Sequence, residues 1–139
     1  MPNGIIEELT VQHWFERNHV NEHPNGNDTF GIKNVEKFIT IPEGESRGKS
    51  FKRLHRWRYS PTAAYGNNEV HLHPYLPRRI SVAEALAIQS LPEWFELPHN
   101  LPLSDKFKMV GNGVPYLLSL GIARELYAWI DEFQHRIGE

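Results

Sequence analysis

The sequence predicts an α+β fold: a small β-rich part in the middle of the chain, flanking helices, and a long C-terminal helix. Three observations predict it. Short β-prone runs separated by turn residues occupy 53–73. A serine and a glutamate at capping-box spacing open a helical pattern at Ser81, and apolar residues recur every fourth position after Pro115.

In chain order, residues 5–17 place Ile5 or Ile6, Leu9, His13 and Trp14 at helical spacing, with Thr10 and Val11 weakening the pattern. Asn18 to Gly31 is rich in turn residues, and Asn18-His19-Val20-Asn21 reads as a turn within it. Ile32, Val35, Phe38 and Ile39 predict a short helix ending before Ile41-Pro42, and 42–50 has loop composition. The runs 53–57, 61–65 and 70–73 predict short strands of a twisted sheet. After Ser81 a helix of about ten residues follows and stops before Pro92. Ser104-Asp105-Lys106 looks like a helix cap. The last helix opens at Pro115, carries Leu118, Ile122, Leu126, Ile130 and Phe133 on one stripe, and ends near Arg136.

Composition narrows the function. Leu, Ile, Val and Phe make 37 of 139 residues, enough for a packed core rather than a disordered chain. No apolar run is long enough to span a bilayer and no signal peptide opens the chain, so the protein reads as soluble and cytoplasmic, with no membrane partner. Cysteine is absent, which excludes disulfides, cysteine zinc sites and a thiolate nucleophile. The net charge of −2 hides a strong segregation: residues 1–46 sum to −5, 47–79 to +7 and 80–139 to −4. The basic stretch fits either a polyanion contact or a solvated face paired with its acidic neighbours.

Other chemistries find little support. His71 and His73 would share one face of a strand, but no carboxylate or cysteine joins them at a recognised ligand spacing, so no metal site is expected. No nucleophile elbow and no phosphate loop is present. Gly111-Asn112-Gly113 could hold an anion at a helix start or simply turn the chain, and the turn is favoured.

Three stretches in order carry a more specific signal. Ser60 to Asn68 reads SPTAAYGNN, Arg78 to Pro92 reads RRISVAEALAIQSLP, and Met109 to Pro115 reads MVGNGVP. Together they resemble the C-terminal part of bacterial DNA cytosine-5 methyltransferases: the end of the target recognition region, motif IX and motif X. Ala83 and Ala87 stand where the family usually has arginines that brace the recognition region.

The resemblance implies a division of roles. Residues 1–79 would be the DNA target-recognition region, and 80–139 a helical segment packing on the catalytic part. The chain would thereby complete the α/β fold of a cytosine-5 methyltransferase. Lys49, Lys52, Arg56 and Arg58 would contact the DNA backbone, and Arg53 would read guanine. Thr62, Tyr65, Gly66, Asn67 and Asn68 match the stretch placed against the target site. Asn112, Gly113 and Val114 match positions lining the pocket for S-adenosylmethionine. Arg79, Ser81, Glu84, Gln89 and Pro92 match the structural motif.

The family's nucleophilic cysteine and main cofactor motifs have no counterpart here, so no catalytic residue is expected in this chain. Because it begins with its own methionine, it looks like the small subunit of a split, heterodimeric DNA (cytosine-5-)-methyltransferase of a bacterial restriction-modification system. A larger catalytic subunit would bind most of the cofactor, and the chain would be inactive alone. The alternative is a non-catalytic DNA-binding module or a truncated methyltransferase remnant.

Overall fold

The computed structural model describes residues 2–31, 35–48, 51–63, 65 and 69–137. Among them run five α-helices: α1 (Val11–Arg17), α2 (Val35–Thr40), α3 (Val82–Ile88), α4 (Leu103–Asn112) and α5 (Tyr116–Ile137). A 3₁₀ turn at Glu7–Leu9 precedes α1. The single helix expected over 5–17 is thus divided at Thr10, whose extended backbone and hydroxyl cap α1 by accepting from the His13 N–H.

The β-rich part expected over 53–73 is a correction. Among the described residues no strand or sheet forms; isolated bridges join Thr29 to Ser81, Arg53 to Leu72 and Leu72 to Arg79. Pairing stops at these bridges: the Leu54 and Leu72 N–H groups donate to the Leu72 and Lys52 carbonyls, and those of His73 and Ile80 to Arg78 and His71, while neighbouring groups that would extend a ladder are used elsewhere. The carbonyls of Arg58 and Arg56 accept the Val11 and Gln12 N–H groups at the start of α1. His55 Nδ1 accepts from the Trp57 N–H, and His73 Nδ1 accepts from Tyr75 and Leu76. Pro61, Pro74 and Pro77 have no N–H to offer. The fold is helical, with extended chain between its helices, rather than α+β.

The core sits around α3, which packs against α1 on one side and α4 on the other. Val82, Ala83, Ala85, Leu86 and Ala87 are all buried, joined by Phe15, Leu54, Val70, Ile80 and Phe107 from both halves of the chain. Each fully buried large side chain contributes roughly 1.5–3 kcal/mol. The capping box predicted at Ser81 is present: its hydroxyl accepts from the Glu84 N–H, and the Glu84 carboxylate accepts from the Ser81 N–H.

The turn-rich stretch 18–31 organises this core. The Asp28 and Asn25 carbonyls accept the Val82 and Ala83 N–H groups, completing the cap of α3. Asn25, fully buried, exchanges side-chain hydrogen bonds with Leu97 in both directions and donates to Asp28. Lys106 of α4, also buried, donates to the same Asp28 carboxylate at 2.7 Å. Burial pushes the Asp28 carboxyl up, but Lys106 and Asn25 hold it below the usual carboxylate range. Helix α4 starts at Leu103 behind Pro102, so Ser104 lies inside the helix rather than capping it.

Helix α5 begins one residue after Pro115, as its sequence predicts, but packs on none of the other helices. Leu118, Ile122, Leu126, Trp129, Ile130 and Phe133 are all exposed, Trp129 by 61%. No helix among the described residues is long and apolar enough to cross a membrane.

Candidate functional site

The three sequence stretches meet at one corner. Gln89, just beyond α3, donates its side-chain amide to the Val110 carbonyl, and its own carbonyl accepts from the Tyr116 N–H. Ser90 follows with φ +54°, a left-handed conformation, which brings its hydroxyl to accept from the Leu117 N–H. The end of α4 and the start of α5 are therefore held by two adjacent residues. Gly111 closes the third side. A side chain there would bring its Cβ 3.1 Å from the Tyr65 backbone nitrogen, so the bare glycine lets α4 lie against Ala63 and Tyr65. A groove of about 660 Å³ opens over this corner, with Thr62, Gln89, Ser90, Gly113, Pro115 and Leu117 among its walls.

Asn112, Gly113 and Val114 are exposed at the groove's edge. Gly111 and Asn112 form the last turn of α4, so the turn expected at 111–113 begins only at Gly113. The three exposed residues offer backbone groups and one side-chain amide to solvent.

Behind the corner lies a buried ionic network. Glu84 is 1% exposed and accepts from Arg78 through both oxygens, at 2.8 and 2.5 Å. His73 brings Nε2 to 3.5 Å from the same carboxylate. Because His73 Nδ1 accepts two backbone N–H bonds, the ring proton sits on Nε2, facing Glu84. Burial pushes the Glu84 carboxyl up, but Arg78 and His73 hold it down at about 2. Ala83 and Ala87, standing where the family usually has arginines, are buried against the core. The bracing seen here comes from Arg78 instead.

The basic stretch divides by what each side chain touches. Arg53 donates four of its five N–H groups to the Phe38, Ile41 and Pro74 carbonyls and lies over the Phe38 ring. It braces the end of α2 against Pro74, so most of the donors expected to read guanine are taken up by the chain's own carbonyls. Arg56 forms a two-pronged pair with Glu43, at 3.0 Å on each prong. Burial pushes the Glu43 carboxyl up, and Arg56 holds it below its ordinary value. Arg79 lies between the Phe30 and Phe51 rings. Lys52 and Arg58 make no ion pair among the described residues, and Arg58 is exposed.

Thr62 is exposed at the corner, whereas Tyr65 is buried against His71 and Phe107, in the core rather than on a DNA-facing surface. Ser81 and Gln89 are buried and Pro92 opens the turn after Leu91. Lys49, Gly66, Asn67 and Asn68 lie outside the described residues. Sequence reasoning missed Asn25, Asp28 and Lys106, since nothing local marks residues 78 positions apart as partners. Among the described residues no three His, Asp or Glu side chains gather as a metal cluster.

Residues 6–128 match the family model described as C-5 cytosine-specific DNA methylase. Over 136 residues, 97% of the chain, the sequence is 62% identical to the Type II methyltransferase M.NmeDI of Neisseria meningitidis serogroup C, of which that match covers 32%. It is 33% identical over 60 residues, 37% of the chain and 14% of the relative, to the Type II methyltransferase M.BsuRI of Bacillus subtilis. The chain therefore spans about a third of the length of the first of these relatives. No solved structure matches it.

Proposed function

Because this chain belongs to the C-5 cytosine-specific DNA methylase family, we propose that it is the DNA-recognition portion of a DNA (cytosine-5-)-methyltransferase, working with a separate catalytic chain. The observation that carries this reading is α5: 22 residues whose apolar stripe packs on none of the other helices. A helix with that much exposed apolar surface needs a partner. It leaves from the corner where Asn112, Gly113 and Val114 are exposed, so a catalytic part docked on α5 would have those residues as one wall of its cofactor site.

The chemistry supports the same division. Transfer of a methyl group from S-adenosylmethionine to cytosine C5 needs a thiolate to attack C6 first, and this chain contains no cysteine. Its own residues would hold DNA and close the cofactor site from one side. Lys52 and Arg58 would set position on the phosphates and Thr62 would approach the target, and the resemblance would add Lys49, Gly66, Asn67 and Asn68 as further DNA contacts. Arg53 and Arg56 would shape that surface through their bonds to the chain itself. The target base leaves the duplex stack to reach the nucleophile, and this portion would grip the flanking duplex meanwhile.

Incorporation of labelled methyl groups into unmodified DNA tests the proposal, using this chain alone and then mixed with a family member's chain that carries the nucleophilic cysteine. Activity only in the mixture is the expected result. Activity of this chain alone, or none in the mixture despite complex formation, overturns it.

A further inference from the structure

Four arginines are half-buried among the described residues: Arg53, Arg56, Arg78 and Arg79. Three are answered by the chain, Arg53 by backbone carbonyls, Arg56 by Glu43 and Arg78 by Glu84. Arg79 is the exception. Among the described residues its guanidinium donates no hydrogen bond and joins no ion pair, and its Nε is enclosed without an acceptor. We infer that Arg79 is a clamp for one phosphate of the DNA backbone, its planar fork held between Phe30 and Phe51. This deepens the DNA-binding reading and rests on it, and it gives a ligand to a residue that the resemblance places only in a structural motif.

A half-buried cation with no partner is costly, since burial strips its water and nothing replaces it. Burial lowers the Arg79 pKa, and no carboxylate offsets that. An apolar side chain of similar length would cover the same two rings without the cost. The acids that could answer it are engaged elsewhere. Asp28, two residues before Phe30, is held by Lys106, and Glu84, five residues after Arg79, by Arg78. A guanidinium kept in this state fits a partner that arrives from outside the chain.

The fork is positioned before any ligand arrives. Its Cζ lies 5.2 Å from the Phe51 ring centre and 5.9 Å from that of Phe30. Phe30 stacks in turn on Phe107 of the core, at 5.3 Å. The Arg79 carbonyl accepts from the Thr29 hydroxyl and from Arg78, and the Ile80 N–H bonds the His71 carbonyl. Binding there costs little ordering of the protein. Aromatic rings take the faces of a guanidinium and leave its in-plane N–H groups to an oxyanion, and a phosphodiester matches that fork. A carboxylate would match it too, but 47–79 carries +7, and Lys52, next to Phe51, has no ion pair among the described residues. That surplus favours a polyanion.

The test titrates a fluorescent paired duplex with the full chain over a series of salt concentrations. Arg79→Met should weaken binding about ten-fold and lower the slope of log affinity against log salt by about 0.9, the loss of one phosphate contact. Arg79→Lys should keep the slope and recover only part of the affinity, because it keeps the charge and loses the fork. Arg79→Met should also melt no lower than the original chain, whereas a purely structural arginine would leave a less stable protein behind. The phosphorus NMR line of dimethyl phosphate should broaden with the original chain and not with Arg79→Met. An unchanged slope in Arg79→Met, or a lowered melting temperature, overturns the clamp and leaves DNA binding standing. Broadening of inorganic phosphate without broadening of dimethyl phosphate gives the site to a free anion and overturns the inference. Failure of the original chain to bind the duplex overturns the clamp together with the DNA-binding reading.

Discussion

Helices α3 and α5 invert the usual relation between apolar content and burial. Helix α3 is seven residues long and mostly alanine and small apolar residues, with a glutamate in its first turn, and nearly all of it is buried. Helix α5 has 22 residues and the richest run of large apolar side chains in the chain, and its stripe is exposed. Small residues let α3 approach both α1 and α4 closely, and its glutamate is tolerated because Arg78, His73 and the capping box satisfy it. Burial follows from which neighbours are present, and α5 has none among the other helices.

The sharpest way to break this comparison is to remove what makes α3 buriable. Glu84→Ala would leave the Arg78 guanidinium unanswered and the Ser81 N–H without its acceptor, at a cost of about 3–5 kcal/mol. Urea unfolding would measure it; a loss below about 1 kcal/mol would show that the network is dispensable.

Acid separates the buried region from α5 next. His71 is 1% exposed, and burial, with Lys52 nearby, lowers its pKa to about 4. The unfolded chain binds a proton at His71 near pH 6.5 while the folded chain refuses it until about 4, so stability falls as pH drops through that window. The loss is on the order of 3 kcal/mol. Glu84, held at about 2, contributes stability that is present above about 4.5 and lost as pH falls from there toward 2. Thermal melts at steps between pH 7 and 3 should show both losses, and His71→Phe should remove the first. An unchanged melting temperature between pH 6.5 and 4.5 would contradict the account of His71.

On the exposed helix the effects move from stability to association. Trp129→Ala should leave unfolding within about 0.5 kcal/mol of the original. It should weaken binding to the catalytic chain by about 2 kcal/mol, roughly thirty-fold, if the stripe is the contact. Calorimetric titration reads the second and chemical denaturation the first; a stability loss with unchanged binding would place α5 in this chain's own core. The smallest effect belongs to the basic stretch. Arg58→Ala should lower DNA affinity nearly equally for all sequences and reduce the slope of log affinity against log salt by about 0.9. The same salt series with Arg53→Ala should show lost folding stability rather than a changed slope.

Legibility in the sequence followed the range of the signal. The capping box at Ser81–Glu84 and the start and stripe of α5 were readable because each depends on residues within a few positions. The middle stretch misled because short apolar, β-prone runs describe extended core chain as well as they describe strands. What decides between them is where carbonyls such as those of Arg56 and Arg58 find donors. The same limit applied to Arg53, whose acceptors are backbone carbonyls, groups that every residue possesses and no composition reveals. The corner itself was foreshadowed by three ordered stretches, but that Gln89 and Ser90 are what fasten them came only from geometry.

That fastening has a mechanical consequence. A 22-residue helix is about 33 Å long. Anchored at its first turn by Gln89 and Ser90, α5 acts as a lever whose fulcrum is the corner. A tilt of about ten degrees there carries the far tip through about 6 Å, so a small adjustment around Gly113 at the groove becomes a large displacement of whatever grips the other end.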